Sequence, residues 1–274
     1  MVYKLALCLM SYRGSLVLLY IGALLTSCAA RSQHKTYLAQ YQEALARYEA
    51  KDYYEASKLF GEAIPLLRGK KEMVLACYYR AYSSFHQKDY QRSAHYFKHF
   101  YESYPKAPQA EEALYMWGYA LYLIAPDVRV DPSPTQEATQ ALQAYLERYP
   151  EGVYQGEATR YVAALNNKLA IKAFNNAQLY HQLSQYRAAV IALTNFQQNF
   201  PDEVVLVEKA AYLRADAQYN LAKESKPETQ EAALRTALGY CQHCLDQYPD
   251  SRYRQAIEKI YEDTLARIEE LNKT

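Results

Sequence analysis

Cys241-Gln242-His243-Cys244 is the part of this 274-residue chain that most resembles a reaction centre. The spacing is that of a dithiol, and a redox thiol works best at a helix amino terminus, where the helix dipole lowers its pKa. Both cysteines fall inside a helical pattern, in positions that another segment fills with Leu193 and Phe196. They therefore read as two small apolar core residues, with a thiol oxidoreductase as the enzymatic alternative. Zinc would need two further ligands, and His243 lies off the cysteine stripe. His95, His99 and Glu102 share a helical face at spacings of four and three. That face lies opposite Phe97, so the trio reads as solvated before it reads as a metal site. The sequence carries no Gly-rich phosphate loop, nucleophile elbow or HExxH motif. The expectation is no catalytic residue, no metal and no cofactor.

Cys28 invites covalent chemistry of another kind. Lys4 and Arg13 precede an apolar run from Leu16 to Leu25, broken only by Tyr20 and Gly22. The run is shorter than the roughly 20 residues a spanning helix needs, but suits a secretory core of roughly 7–15. Leu25-Thr26-Ser27-Cys28 resembles a bacterial lipobox, in which the cysteine thiol is acylated, as with palmitate, and the chain is cut before it. One acyl chain holds a membrane marginally and two hold it firmly. The expected organisation is a signal peptide over 1–27 and a lipidated linker over 28–35; a plain signal peptide with an ordinary Cys28 is the alternative. Met10 also opens a complete signal, MSYRGSLVLLYIGALLTSC, and is a second possible start. Loss of residues 1–27 takes away Lys4 and Arg13 and turns a formal charge of +1 into −1. No basic surplus is left for nucleic acid. Ala29 and Ala30 stand where, in many bacterial lipoproteins, an Asp favours inner-membrane retention. An anchor in the outer membrane facing the periplasm is the expectation.

The remaining chain must supply the elements. Only 8 Gly and 10 Pro suit helices better than a turn-rich β fold. The 30 Tyr, against 7 Phe and 1 Trp, imply many half-buried rings. Four aromatic-proline pairs mark a period: Tyr104-Pro105, Tyr149-Pro150, Phe200-Pro201 and Tyr248-Pro249. Stepping back 4, 7 and 11 residues gives Phe100, Phe97, Ser93; Tyr145, Leu142, Ala138; Phe196, Leu193, Ala189; and Cys244, Cys241, Ala237. Leu67, Ala63, Phe60 and Ala56 form a fifth set without its proline. Each set is one helical stripe with a small residue where another helix comes close, stopped by the proline.

An earlier column precedes each stripe: Tyr41-Ala44-Tyr48, Tyr78-Ala81-Phe85, Tyr115-Gly118-Tyr122, Phe174-Ala177-His181 and Tyr212-Ala215-Tyr219. Each repeat is thus two antiparallel helices, A then B. Turns are short in repeats 1, 2 and 4. Longer connections are expected in repeat 3 (IAPDVRVDPSPTQ) and repeat 5 (LAKESKPETQ), with extra helix over about 156–171. A last helix over about 251–271 should cap the array through Ile257, Ile260, Tyr261, Leu265 and Ile268. The fold class is an all-α solenoid of five tetratricopeptide-like pairs with a carboxy-terminal capping helix.

The lipobox, the five repeats, the Tyr-Pro and Phe-Pro helix ends, the proline-containing connection VDPSPTQEATQALQAYLERYPEGVYQGEA and the long helix leading into repeat 4, LNNKLAIKAFNNAQLYHQLSQYRAA, together resemble the BamD (ComL) family, over about residues 34–265. The resemblance implies a scaffold of the outer-membrane β-barrel assembly machinery (the BAM complex). Its partners would be the POTRA region of a BamA-like assembly barrel, unfolded outer-membrane β-barrel substrates, and accessory lipoproteins. It implies cargo reception by repeats 1–3 (36–150) and barrel docking by repeats 4–5 with the capping helix (151–274). The candidate cargo residues are Tyr41, Tyr48, Tyr78, Phe85, Tyr115 and Tyr122; packing between helices is the other use for those rings. The chain departs from a tidy pattern in lacking a proline after Leu67 and in its Cys-rich fifth repeat. A pilotin-like or cell-wall-coordinating repeat lipoprotein is the alternative function, opposed by the 59-residue step between the third and fourth A columns.

Overall fold

Where the sequence alternates small and aromatic columns, a computed structural model, which describes residues 38–273, places helices: α1 (38–49), α2 (Tyr53–Leu66), α3 (Glu72–His86), α4 (Tyr90–Ser103), α5 (Ala110–Ile124), α6 (Ser133–Arg148), α7 (Gln155–Gln182), α8 (Tyr186–Asn199), α9 (Val204–Lys223), α10 (Pro227–Gln247) and α11 (Arg254–Leu271). Among the described residues there is no strand. Cys28, Met10 and the leader lie outside them. The chain divides into two compact units. One runs to Ile124 and includes Ala141–Ala158; the other comprises Ala125–Gln140 and everything from Thr159. In the first, α2 packs on α3, α3 on α4 and α4 on α5; in the second, α8 packs on α9, α9 on α10, and α11 on both. Neighbour-on-neighbour packing of helix pairs is the order of a tetratricopeptide-type solenoid.

Every small residue of the columns is buried. Ala44, Ala56, Ala81, Ala138, Ala177, Ala189, Ala215 and Ala237 have no exposed surface, and Ser93 is equally enclosed, its Oγ donating to Ala81 O at 3.2 Å. The tightest crossing is at Gly118 of α5. A Cβ there would come within 2.7 Å of Leu142 Cγ and 3.1 Å of its backbone nitrogen on α6. That is closer than any carbon can sit, so only Gly permits this approach.

The turns repeat as well. Lys51, Lys88 and Ser184 all take left-handed φ values, 61°, 62° and 56°. Asp52 and Asp89 follow and cap the next helix, their Oδ1 accepting from Glu55 N and Arg92 N at 3.4 and 3.2 Å. At the other end of the B helices, Tyr104, Phe200 and Tyr248 share one conformation near φ −130°. Each donates its backbone N–H to the residue four before it, as does Tyr149 to Tyr145. The proline that follows excludes helical geometry at these positions. In repeat 1 the proline is displaced into the last turn of α2, as Pro65.

The long helix expected to lead into repeat 4 is α7, whose 28 residues also include that repeat's A column. Two expectations change. The long connection in repeat 5 is mostly helix: α9 continues to Lys223, α10 starts at Pro227, and only three residues link them. Pro227 sits at the first helical position, where its missing N–H is harmless, and Gln230 Nε2 donates to Ala222 O at 3.2 Å, covering the α9 terminus. In α11 the inward residue is Thr264 rather than Leu265, which is 38% exposed. Thr264 completes the stripe Ile257, Ile260, Ile268, and its hydroxyl is satisfied by Ile260 O at 2.5 Å. The repeat 3 connection does form a loop, and α7 holds it: Lys168 Nζ donates to Ala125 O and Lys172 Nζ to Val128 O, both at 3.2 Å.

Candidate functional site

The six rings singled out from the columns all lie in the first unit, in two environments. Tyr41 and Tyr115 are buried, 5% and 4% exposed; Tyr48, Tyr78, Phe85 and Tyr122 are half-buried. The structure joins them through rings the columns did not mark. Tyr48 packs on Tyr79 (centroids 5.0 Å) and Tyr53 (5.5 Å). Tyr53 stacks on His86 at 4.4 Å, and His86 on Tyr82 at 5.9 Å. Phe85 meets Tyr119 at 5.8 Å, which stacks on Tyr115; Tyr115 lies flat on Tyr154 at 4.2 Å. The result is a continuous belt of rings from α1 to the turn before α7. Its contacts mix stacked and edge-on geometries, each worth about 0.5–1.5 kcal/mol beyond burial.

Carboxylates hold several of the hydroxyls in and beside the belt. Glu112 of α5 accepts from Tyr78 Oη at 2.5 Å and from Tyr82 Oη. Tyr115 Oη donates to Glu157 at 2.7 Å and Tyr145 Oη to Glu111 at 3.1 Å. Glu111 also accepts from Val153 N at 2.8 Å, in the turn where Gly152 leaves room for it. Burial, then the Glu112 bond, raises the Tyr78 and Tyr82 pKa values. Burial pushes Tyr48 and Tyr145 up to about 12. Burial also lowers the His86 pKa. Tyr78 and Tyr82 keep their protons and donate both O–H groups to Glu112. What the surface offers is ring faces, which suit binding an aromatic or apolar segment. Column spacing did not show Glu112; the signal available was the acidic pair Glu111-Glu112 opening α5, one repeat after Tyr78 and Tyr82.

The residues weighed for chemistry are placed elsewhere. Cys241 and Cys244 are free thiols in the last two turns of α10, far from its amino terminus, 0% and 1% exposed, packed with Leu234, Ile257 and Ile260. Burial pushes them up to about 12 and about 11, the opposite of a reactive thiol. His95, His99 and Glu102 are exposed on α4, and among the described residues no group of three or more acidic, His or Cys side chains could hold a metal ion.

In the second unit the exposed apolar side chains are mostly aliphatic, with Tyr180 among them at 40% exposure. Leu179 and Leu183 at the end of α7 are 51% and 59% exposed, and Ile191 of α8 is 57% exposed. Ile191 borders a shallow depression with Tyr186, Arg187 and Leu221.

A protein of Aquifex aeolicus (strain VF5), carrying the provisional description outer membrane protein assembly factor BamD, is 26% identical over 264 residues, 93% of this chain and 85% of its own length. A crystal structure of nearly identical tetratricopeptide-like repeats related to kinesin light chain, from Podosopora anserina, is 11% identical and covers 78% of this chain and 96% of its own, at a TM-score of 0.32. The family model YfiO, outer membrane lipoprotein, matches residues 33–209. With that match covering more than half of its length, the chain belongs to the YfiO family of outer membrane lipoproteins.

Proposed function

We propose that the chain is a lipid-anchored scaffold of outer-membrane protein assembly, facing the periplasm, in which the ring belt receives aromatic-ended segments of unfolded β-barrel proteins. The observation that carries this is the belt itself: Tyr48, Tyr53, Tyr78, Tyr82, Phe85 and Tyr119 are joined with His86 by ring contacts, and Glu112 fixes Tyr78 and Tyr82 through their hydroxyls. The exposed Leu179, Leu183 and Ile191 suit docking on the POTRA region of a BamA-like barrel. Among the described residues no helix is long and apolar enough to cross a membrane; Cys28 is the proposed anchor.

A crosslinked pull-down of the tagged full-length protein from detergent-solubilised envelopes tests the assembly role. A POTRA-bearing barrel protein at near-equal stoichiometry is expected. Pilus or cell-wall proteins in its place would overturn the reading. Cys28→Ala should move the protein into the soluble periplasmic fraction, and Phe85→Ala should weaken binding of an aromatic-ended peptide without loss of the barrel partner.

A further inference from the structure

On the side of α3 turned from Tyr78 and Tyr82, a cationic pocket opens between α2 and α4. It encloses about 190 Å³ and is lined by Ile64, Cys77, Arg80, His95, Tyr96 and His99. The Arg80 guanidinium lies 4.4 Å from the centre of the Tyr96 ring. Its other flank rests on α2 at Gly61, where an added Cβ would come within 2.9 Å of Nη2. Its Nε is buried with no hydrogen-bond partner. A guanidinium held flat between a ring and a glycine is pre-oriented, and its fork matches a carboxylate in two parallel hydrogen bonds.

The second unit repeats the arrangement in the same register. Arg214 of α9 lies 4.3 Å from the centre of the Tyr240 ring of α10, and its Nε is also buried without a partner. Arg80 and Arg214 each precede the small residue of their A column, Ala81 and Ala215. Tyr96 and Tyr240 each precede the stripe residue, Phe97 and Cys241, and His99 and His243 stand three residues further on. At the Arg and Tyr positions repeats 1, 3 and 4 carry Glu43 and Leu59, Trp117 and Ala141, Asn176 and Ala192. Helix pairing therefore does not require the pair. Enclosing a guanidinium Nε without a hydrogen-bond partner is unfavourable, and two repeats do so in the same way.

We propose that the Arg80 pocket is a docking site for a glutamate or aspartate side chain on an extended segment of a partner protein. The carboxylate takes the Arg80 fork, the methylene stem packs on Ile64 and Tyr96, and His95 and His99 at the rim offer further N–H donors. The site lies off the ring belt and does not depend on the cargo reading.

The test is fluorescence anisotropy of the full-length protein in detergent with a labelled Gly-Leu-Glu-Leu-Gly amide, which has no ring for the belt to hold, and with its Glu-to-Gln counterpart. The Glu peptide should bind at least tenfold more tightly. Arg80→Gln should remove that preference, and Phe85→Ala should leave it intact. Equal binding of both peptides, or a preference that survives Arg80→Gln in a variant folded by circular dichroism, overturns the proposal. Should Arg80→Gln fail to fold, the ¹⁵Nε–¹H signal of Arg80 in the unmodified chain decides: it should shift with the Glu peptide alone, and movement with both or with neither overturns the site. Phosphatidylglycerol vesicles competing as well as the peptide would identify a lipid headgroup as the ligand and would likewise overturn a protein partner.

Discussion

Between α3 and α4 the B-helix stripe is Phe97 and Phe100; between α9 and α10 the same register holds Cys241 and Cys244. All four are at most 1% exposed, although a phenyl ring and a thiol differ greatly in volume. The second unit closes the difference from outside the pair. Tyr212 stacks on Tyr253 at 4.8 Å and 4°, and Ile257 and Ile260 of α11 enter the same cluster. The small residue of the column sets how close two helices come, and the stripe residue only has to fill the remaining space to interior density. Polar groups differ in parallel. The first unit sets phenols on Glu112, whereas the second sets His181 on Asp216 at 2.6 Å. The first unit carries the belt of rings, and the second exposes Leu179, Leu183 and Ile191.

Truncating the stripe separates the two most. Phe97→Ala should cost about 3–5 kcal/mol and Cys241→Ala about 1 kcal/mol; equal shifts in urea midpoint would mean that the stripes carry equal weight. Gly118→Leu should lower stability by about 1–3 kcal/mol, because Leu142 and its backbone cannot retreat, and an unchanged midpoint would show that this crossing is loose.

Glu112→Gln should cost about 1–2 kcal/mol by removing a charged acceptor from two phenols, and most of that should vanish in a Tyr82→Phe background. The same network gives an alkaline limit. Tyr78 and Tyr82 hold their protons more tightly folded than unfolded, where a phenol titrates near 10.0. Their contribution is complete below that pH and is lost as pH rises through the higher folded values. A denaturation series above pH 10 should therefore fall less steeply for Tyr82→Phe than for the unmodified chain. The smallest effect is a gain. Lys88→Gly relieves a left-handed φ of 62° and should raise the midpoint by under about 1 kcal/mol.

The helix pairs were legible because a 3.6-residue period with a small residue at the crossing has a single geometric solution, and Ala44 through Ala237 fill it without exception. The segment LAKESKPETQ was not legible. Its Lys, Ser, Pro and Glu read as loop, yet Ala222 and Leu234 are fully buried between α9 and α10, and that packing extends both helices. Thr264 was missed because a hydroxyl hides an inward position once it bonds its own helix, at Ile260 O.

What the sequence determined by itself was the element list and the face each element buries, since both follow from local period, small residues and proline stops. Partners distant in the chain were decided by tertiary structure alone. Glu112 reaches phenols 30 and 34 residues away, and Arg80 finds Tyr96 on one side and Gly61 on the other. Local spacing encodes a helix face, but which polar side chain meets which ring depends on how neighbouring helices cross. That is fixed only when the small residues of the columns close together.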